Sequence, residues 1–177
     1  QILANSIKEL MPGSLGIIFA TRDIALLGSK GLIGSQALKK KKKHNITVKA
    51  LCAKKNVKLL AQQARQFKPE AVCIADKNCY PELKMLLADM DIKILCGNEG
   101  VCELAQLPCD MVVNAIVGMI GLLPTISAIK AKNRIGLANK ETLVVGGEIV
   151  TRLAKENGVD IIPIDSEHSA IFQALQG

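Results

Sequence analysis

Two short blocks near the C-terminal end gather the side chains best able to do chemistry. Asn139-Lys140-Glu141 follows the apolar Leu137-Ala138, and Asp165-Ser166-Glu167-His168 follows Pro163-Ile164. The second block sets two carboxylates, a hydroxyl and an imidazole in consecutive positions. Carboxylates at i and i+2 leaving a strand end converge on one cation from the same side. Oxygen donors without thiolate suit Mg2+ or Mn2+ better than structural zinc. Asp165 and Glu167 are therefore the candidate metal ligands, with a further ligand needed from elsewhere. Lys140 suits a phosphate or an oxyanion as a point charge. Plainer roles stand beside these: Asn139 as a helix N-cap, Glu141 as a first-turn acid on the helix dipole, and Asp165 or Ser166 as the cap of a last helix.

A glycine-rich stretch, Gly28-Ser29-Lys30-Gly31-Leu32-Ile33-Gly34, lies between an apolar run and a helix expected to start near Ile33. Glycines allow positive φ and close backbone approach, so that helix N–H groups can meet a pyrophosphate. The spacing differs from the usual dinucleotide turn, and an ordinary strand-to-helix turn is the alternative. The next apolar run ends in Ala53-Lys54-Lys55-Asn56. A site for unphosphorylated ribose places an acid there to accept from the 2′-hydroxyl. Two cations and an amide instead favour a 2′-phosphate, hence NADPH over NADH, unless the segment is simply a solvated loop. The lysine run at 39–43 reads as a solvated helix end, since like charges at i,i+4 repel.

The elements needed to position these groups follow from the apolar pattern. Strands are expected at 24–27, 46–52, 71–74, 92–96, 111–113, 134–138 and 160–164. Helical spacing marks Val57, Leu59, Leu60, Ala64 and Phe67; then Leu83, Met85, Leu86, Leu87 and Met90 after Pro81; then Val101 and Leu104; then Ile126 and Ile129. A longer helix is expected from 140 to 157, and another from 168 to 175. Short apolar strands without clean alternation are what a parallel sheet covered on both faces requires. The fold class is α/β, doubly wound, with a mostly parallel Rossmann-like sheet.

Composition narrows the function. The chain has 177 residues, 49% hydrophobic and 22% charged, which is globular. No apolar run approaches the ~20 residues of a membrane span. Six cysteines without a CxxC pair read as reduced thiols, with Cys52, Cys73 and Cys96 inside strands. With no Trp, one Tyr and three Phe, the chain lacks base-stacking platforms, so its +7 charge is not read as nucleic-acid binding. A cytoplasmic setting is expected, or the plastid stroma for a plastid-bearing source.

Taken together, the motifs resemble the 1-deoxy-D-xylulose 5-phosphate reductoisomerase family of non-mevalonate isoprenoid biosynthesis. The resemblance rests on residues 137–144, 163–173, 115–118 and 121–125. It implies NADPH on an N-terminal domain and Mn2+ or Mg2+ on a catalytic domain, acting on a sugar phosphate. Lys30, Gly31, Leu32 and Ile33 would lie at the pyrophosphate turn; Lys54, Lys55 and Asn56 would meet the 2′-phosphate. Asn139 and Glu141 would help hold the cofactor. Lys140, Ser166 and Glu167 would contact substrate, and Asp165 and Glu167 would ligate the metal. Lys30, Leu32 and Lys54 depart from the family's usual Thr, Ser and Gly. The expected organisation is an extension at 1–22, a cofactor domain at 23–158 and the incomplete start of a catalytic domain at 159–177. Such a piece is expected to be inactive alone, and homodimeric when full length. A non-catalytic or degenerate basic module binding nucleotide or nucleic acid, and a different dehydrogenase on the same fold, remain the alternatives.

Overall fold

The computed structural model describes residues 22–28, 47–116, 118–137 and 140–163. The glycine turn beyond Gly28, the helix near Ile33, the lysine run, most of the extension and the helix at 168–175 lie outside the described residues. Seven strands are seen: β1 Asp23–Leu27, β2 Thr47–Ala53, β3 Ala71–Ile74, β4 Lys93–Cys96, β5 Met111–Asn114, β6 Arg134–Leu137 and β7 Ile161–Pro163. The described helices are α1 Val57–Phe67, α2 Tyr80–Leu86, α3 Gly97–Ala105, α4 Leu122–Lys130 and α5 Lys140–Asn157. The strand order is β4-β3-β2-β1-β5-β6-β7, and every pairing is parallel.

Period-two alternation divides each strand between two cores. Ile24, Leu26, Leu51, Val72, Ile74, Met111 and Val113 face α1 and α2, meeting Leu60, Ala64, Phe67 and Leu83. Ala25, Leu27, Ala50, Cys52, Cys73, Val112 and Ile135 face the other way, against Val101 and Leu104 of α3, Ile129 of α4 and Val150 of α5. Both faces are therefore covered, which is why the strands read as continuous apolar runs. The second face carries small residues at its centre. Gly100 continues this: a Cβ there would lie 3.1 Å from both Cys73 Sγ and Leu95 Cβ, so α3 can settle close to β3.

Several sequence expectations need correction. The helix after Pro81 stops at Leu86, not Met90. Arg65 of α1 ends it, donating to the Leu86 carbonyl at 2.8 Å and forking onto the Asp89 carboxylate at 2.6 and 2.8 Å. Met85, counted among the apolar marks of that helix, is exposed. All six cysteines are free thiols, but Cys96 is only half-buried because β4 is an edge strand. Strand ends also move by a residue: β2 runs to Ala53 and β5 to Asn114, while β7 begins at Ile161. β7 joins the same sheet, Ile135, Gly136 and Leu137 of β6 pairing with Ile161, Ile162 and Pro163.

Polar side chains satisfy the backbone where strands begin. Asp110, just before β5, accepts from the N–H groups of Arg22 at 2.8 Å and Asp23 at 3.0 Å. Buried Asn133, just before β6, donates to the carbonyls of Ala105 and Leu107 and accepts from the Cys109 N–H. The Asp23 and Arg22 amides hold the Asp110 carboxyl below its ordinary range. A depressed carboxylate pKa adds stability above its unfolded value, about 3.9, and that stability is lost as pH falls through the folded value. Thermal melts of Asp110→Asn and the unaltered chain should therefore differ at pH 7 and converge as pH falls through the depressed folded value. A constant difference at all pH values would refute this role of the charge.

Candidate functional site: the crevice at the strand ends

In a fully parallel sheet all strand C-termini lie along one edge, and ligands bind where the chain reverses its direction of winding. That point is β1. From β1 the chain winds outward through β2, β3 and β4, then returns to place β5 on the other side of β1. β1 and β5 thus lead into opposite halves of the sheet, and their C-terminal ends mark the switch point at which open α/β sheets take ligands.

Gly28, the first residue after β1, sits at this point with φ +85°. A Cβ there would lie 2.8 Å from the Ala115 carbonyl carbon and from the Ile116 nitrogen. Those are backbone atoms, so nothing can rotate aside. Its N–H donates to the Cys52 carbonyl of β2 at 3.1 Å, tying three strands together at the crevice. The missing side chain thus lets the end of β1 pack directly against the segment that follows β5.

Across the crevice the loop after β5 is held by a buried amide that sequence reasoning passed over. Asn114 Nδ2 donates to the Gly121 carbonyl and the Thr125 hydroxyl, both at 2.8 Å, while Oδ1 accepts from the Ile116 N–H at 3.1 Å. Thr125 in turn donates to the Gly121 carbonyl at 2.9 Å. Asn114 and Thr125 are both fully buried. The signal available in sequence was an amide closing an otherwise apolar strand, Met111-Val112-Val113-Asn114, ahead of Gly118 and Gly121.

Lys54, Lys55 and Asn56 occupy the turn from β2 into α1, at the same edge. Asn56 caps α1, its Oδ1 accepting from the Leu59 N–H at 3.1 Å. Its side-chain N–H groups are not used in that cap. Lys55 Nζ lies 3.4 Å from Asp76 Oδ2. Lys140 and Glu141 begin α5 directly after β6, so their backbone also stands at this edge. β7 delivers the chain there too, three strand spacings or about 14 Å from β1. Lys30, Gly31, Leu32, Ile33, Asn139, Asp165, Ser166 and Glu167 lie outside the described residues. Among the described residues no group of three or more His, Cys, Asp or Glu side chains is placed to hold a metal ion. No described helix is long and apolar enough to cross a membrane.

Two substitutions test this geometry. Gly28→Ala forces an L residue into the left-handed region against fixed backbone, and should destabilise by at least about 2 kcal/mol in urea unfolding. Wild-type stability would show that the contact yields freely. Asn114→Ala removes the three hydrogen bonds that this buried amide makes to Gly121, Thr125 and Ile116, so it should cost about 1–3 kcal/mol by the same measurement.

Comparison with known proteins agrees with this architecture. The family model described as 1-deoxy-D-xylulose 5-phosphate reductoisomerase matches residues 24–147. A protein of that name from Agathobacter rectalis is 52% identical over 158 residues, covering 88% of this chain and 42% of the relative. The solved structure of the reductoisomerase from Zymomonas mobilis in complex with NADPH superposes with a TM-score of 0.77 at 36% identity, over 86% of this chain and 41% of that one. A DOX-P reductoisomerase in complex with NADPH, fosmidomycin and magnesium gives 0.76 at 40% identity, over 83% and 37%. The chain therefore spans about 42% of the length of the curated relatives it matches. With the doubly wound sheet and its glycine-lined crevice, these matches place the chain in the 1-deoxy-D-xylulose 5-phosphate reductoisomerase family.

Proposed function

We propose that this chain is the cofactor-binding part of an NADPH- and divalent-metal-dependent reductoisomerase. Its reaction would convert 1-deoxy-D-xylulose 5-phosphate to 2-C-methyl-D-erythritol 4-phosphate. The observation that carries the reading is the Gly28 crevice beside a strand end bearing Lys54 and Lys55 where an acid would select unphosphorylated ribose. Gly28 brings the end of β1 against the Ala115–Ile116 backbone at the switch point, the place where open α/β sheets take a dinucleotide. The solved relatives named for NADPH and magnesium support the same assignment.

In this reading Lys30, Gly31, Leu32 and Ile33 donate to the pyrophosphate, and Lys54, Lys55 and Asn56 face the 2′-phosphate. Asn139 and Glu141 steady the cofactor. Lys140, Ser166 and Glu167 hold the sugar phosphate, with Asp165 and Glu167 as metal ligands. When bound, the cation polarises carbon–oxygen bonds as a Lewis acid, and NADPH supplies hydride. The catalytic domain would begin near residue 159, with β7 as the strand that leads into it. A homodimer in the cytoplasm or plastid stroma completes the proposal, with nucleic acid left out as a partner. Because the matched relatives are more than twice as long as the aligned region, the chain by itself should bind cofactor without turning over the sugar.

Titration calorimetry with NADPH and NADH tests the assignment. Saturable NADPH binding with clear preference over NADH is expected. Equal binding of both, or salt-sensitive RNA binding in place of that preference, would overturn it.

A further inference from the structure

Resting on the NADPH reading, the two sides of the switch point divide the cofactor between them. A doubly wound sheet consists of two mononucleotide-binding halves, and a dinucleotide lies across both. The end of β2, proposed above for the adenosine ribose, belongs to the half running from β1 to β4. The chain that leaves β5 opens the other half, β5 to β7, and so borders the second mononucleotide. That chain is held to one shape from inside. Asn114, fully buried, commits both amide hydrogens and its oxygen to it. Nδ2 donates to the Gly121 carbonyl and the Thr125 hydroxyl at 2.8 Å, and Oδ1 accepts from the Ile116 N–H at 3.1 Å. Between these anchors Gly118 stands at φ +85° and ψ −170°, a region that essentially only glycine occupies. A Cβ there would meet nothing within 4 Å, so backbone direction and not crowding demands the glycine.

Sheet pairing does not require this shape. β5 pairs with β1 and β6 only as far as Asn114, so the segment beyond it lies outside the ladder. A loop already ordered at the edge where ligands bind presents its groups without losing that conformational entropy again on binding. We propose that Asn114, together with Thr125 and Gly118, is a positioning residue for the nicotinamide half of the dinucleotide. Asn114 does not touch the cofactor, because its side chain is buried and its amide is engaged within the protein. It acts through the backbone at Ile116 and Gly121, and Gly118 gives the segment its direction. NADPH and NADH share this half, so the network sets affinity for both without choosing between them.

Calorimetric titration of the whole 177-residue chain with NADPH, NADH and adenosine 2′,5′-bisphosphate tests this, since the last compound lacks the nicotinamide half. Asn114→Ala, and Thr125→Val with its closely matched shape, should each weaken NADPH and NADH alike by about tenfold. Affinity for the bisphosphate should stay within about twofold of the unaltered chain in every variant, which also reports an intact fold. Gly118→Ala should show the same split, because alanine has the room there but not the conformation. Thr125→Ser, which keeps the hydroxyl, should restore NADPH binding. A purely structural role would lower the unfolding temperature and leave all three affinities unchanged where the chain remains folded. Should Asn114→Ala fail to fold, the Thr125 and Gly118 variants carry the test. NADPH affinity unchanged in Thr125→Val and Gly118→Ala, or the bisphosphate weakened as much as NADPH, would overturn this role while leaving NADPH as the cofactor. An unaltered chain that binds neither NADPH nor the bisphosphate would remove the cofactor reading and this inference together.

Discussion

The contact on which the rest of this architecture depends is the approach of Gly28 to the Ala115–Ile116 peptide. It lies at the central strand, where the winding of the sheet reverses, and it brings backbone against backbone. A side chain at Gly28 would push the end of β1 away from Ala115 and Ile116, and β1 is paired with both β2 and β5. The crevice and the integrity of the central pairings thus rest on one missing methyl group. Asn114 is the counterpart on the other lip. It replaces water as the partner of loop carbonyls and amides, which lets that lip be buried and still hold a defined shape.

What the sequence made legible followed from local physics. Buried parallel strands are short and apolar throughout, so seven runs could be read directly, and α5 was bounded correctly by its own periodicity. The β2 end was legible for the same reason: Lys54, Lys55 and Asn56 stand where the strand must stop. What escaped depends on partners distant along the chain. Arg65 ends α2 by reaching Leu86 and Asp89, more than twenty residues on. Asp110 secures the start of β1 across a separation of 87 residues. Asn114 finds Gly121 and Thr125 only after the loop has folded back over the strand. The strand order itself cannot be read from periodicity, because it is decided by which side of β1 the chain returns to after α3.

The two core layers differ in grain, and this bears on where ligands can sit. The layer under α1 and α2 is built from Leu, Ile, Val, Phe and Met, while the layer under α3 to α5 has Ala and Cys at its centre. Small side chains let α3 lie close to β3, with Gly100 at the contact. The thiols here are packing elements. The neighbouring Cys52 thiol and burial keep Cys73 protonated far above the ordinary range, and burial pushes Cys109 to about 11. Thiols held in that form are poor nucleophiles and poor metal ligands.

The two edges of the sheet also divide the work between stability and function. Where strands begin, Asp110 and Asn133 saturate backbone groups with short hydrogen bonds, and the geometry is closed. Where strands end, the described chain uses a glycine with positive φ, lysines with different degrees of engagement, and exposed apolar side chains. Met119, Ile120 and Leu123 follow β5, and Val144, Val145 and Ile149 lie in the half of α5 that follows β6. A parallel sheet imposes this polarity, because each crossover returns the chain to the starting edge and every outgoing loop opens at the other. Substitutions at the first edge therefore act through folding free energy. At the second edge, exposed residues such as Lys54 can change with little effect on the fold.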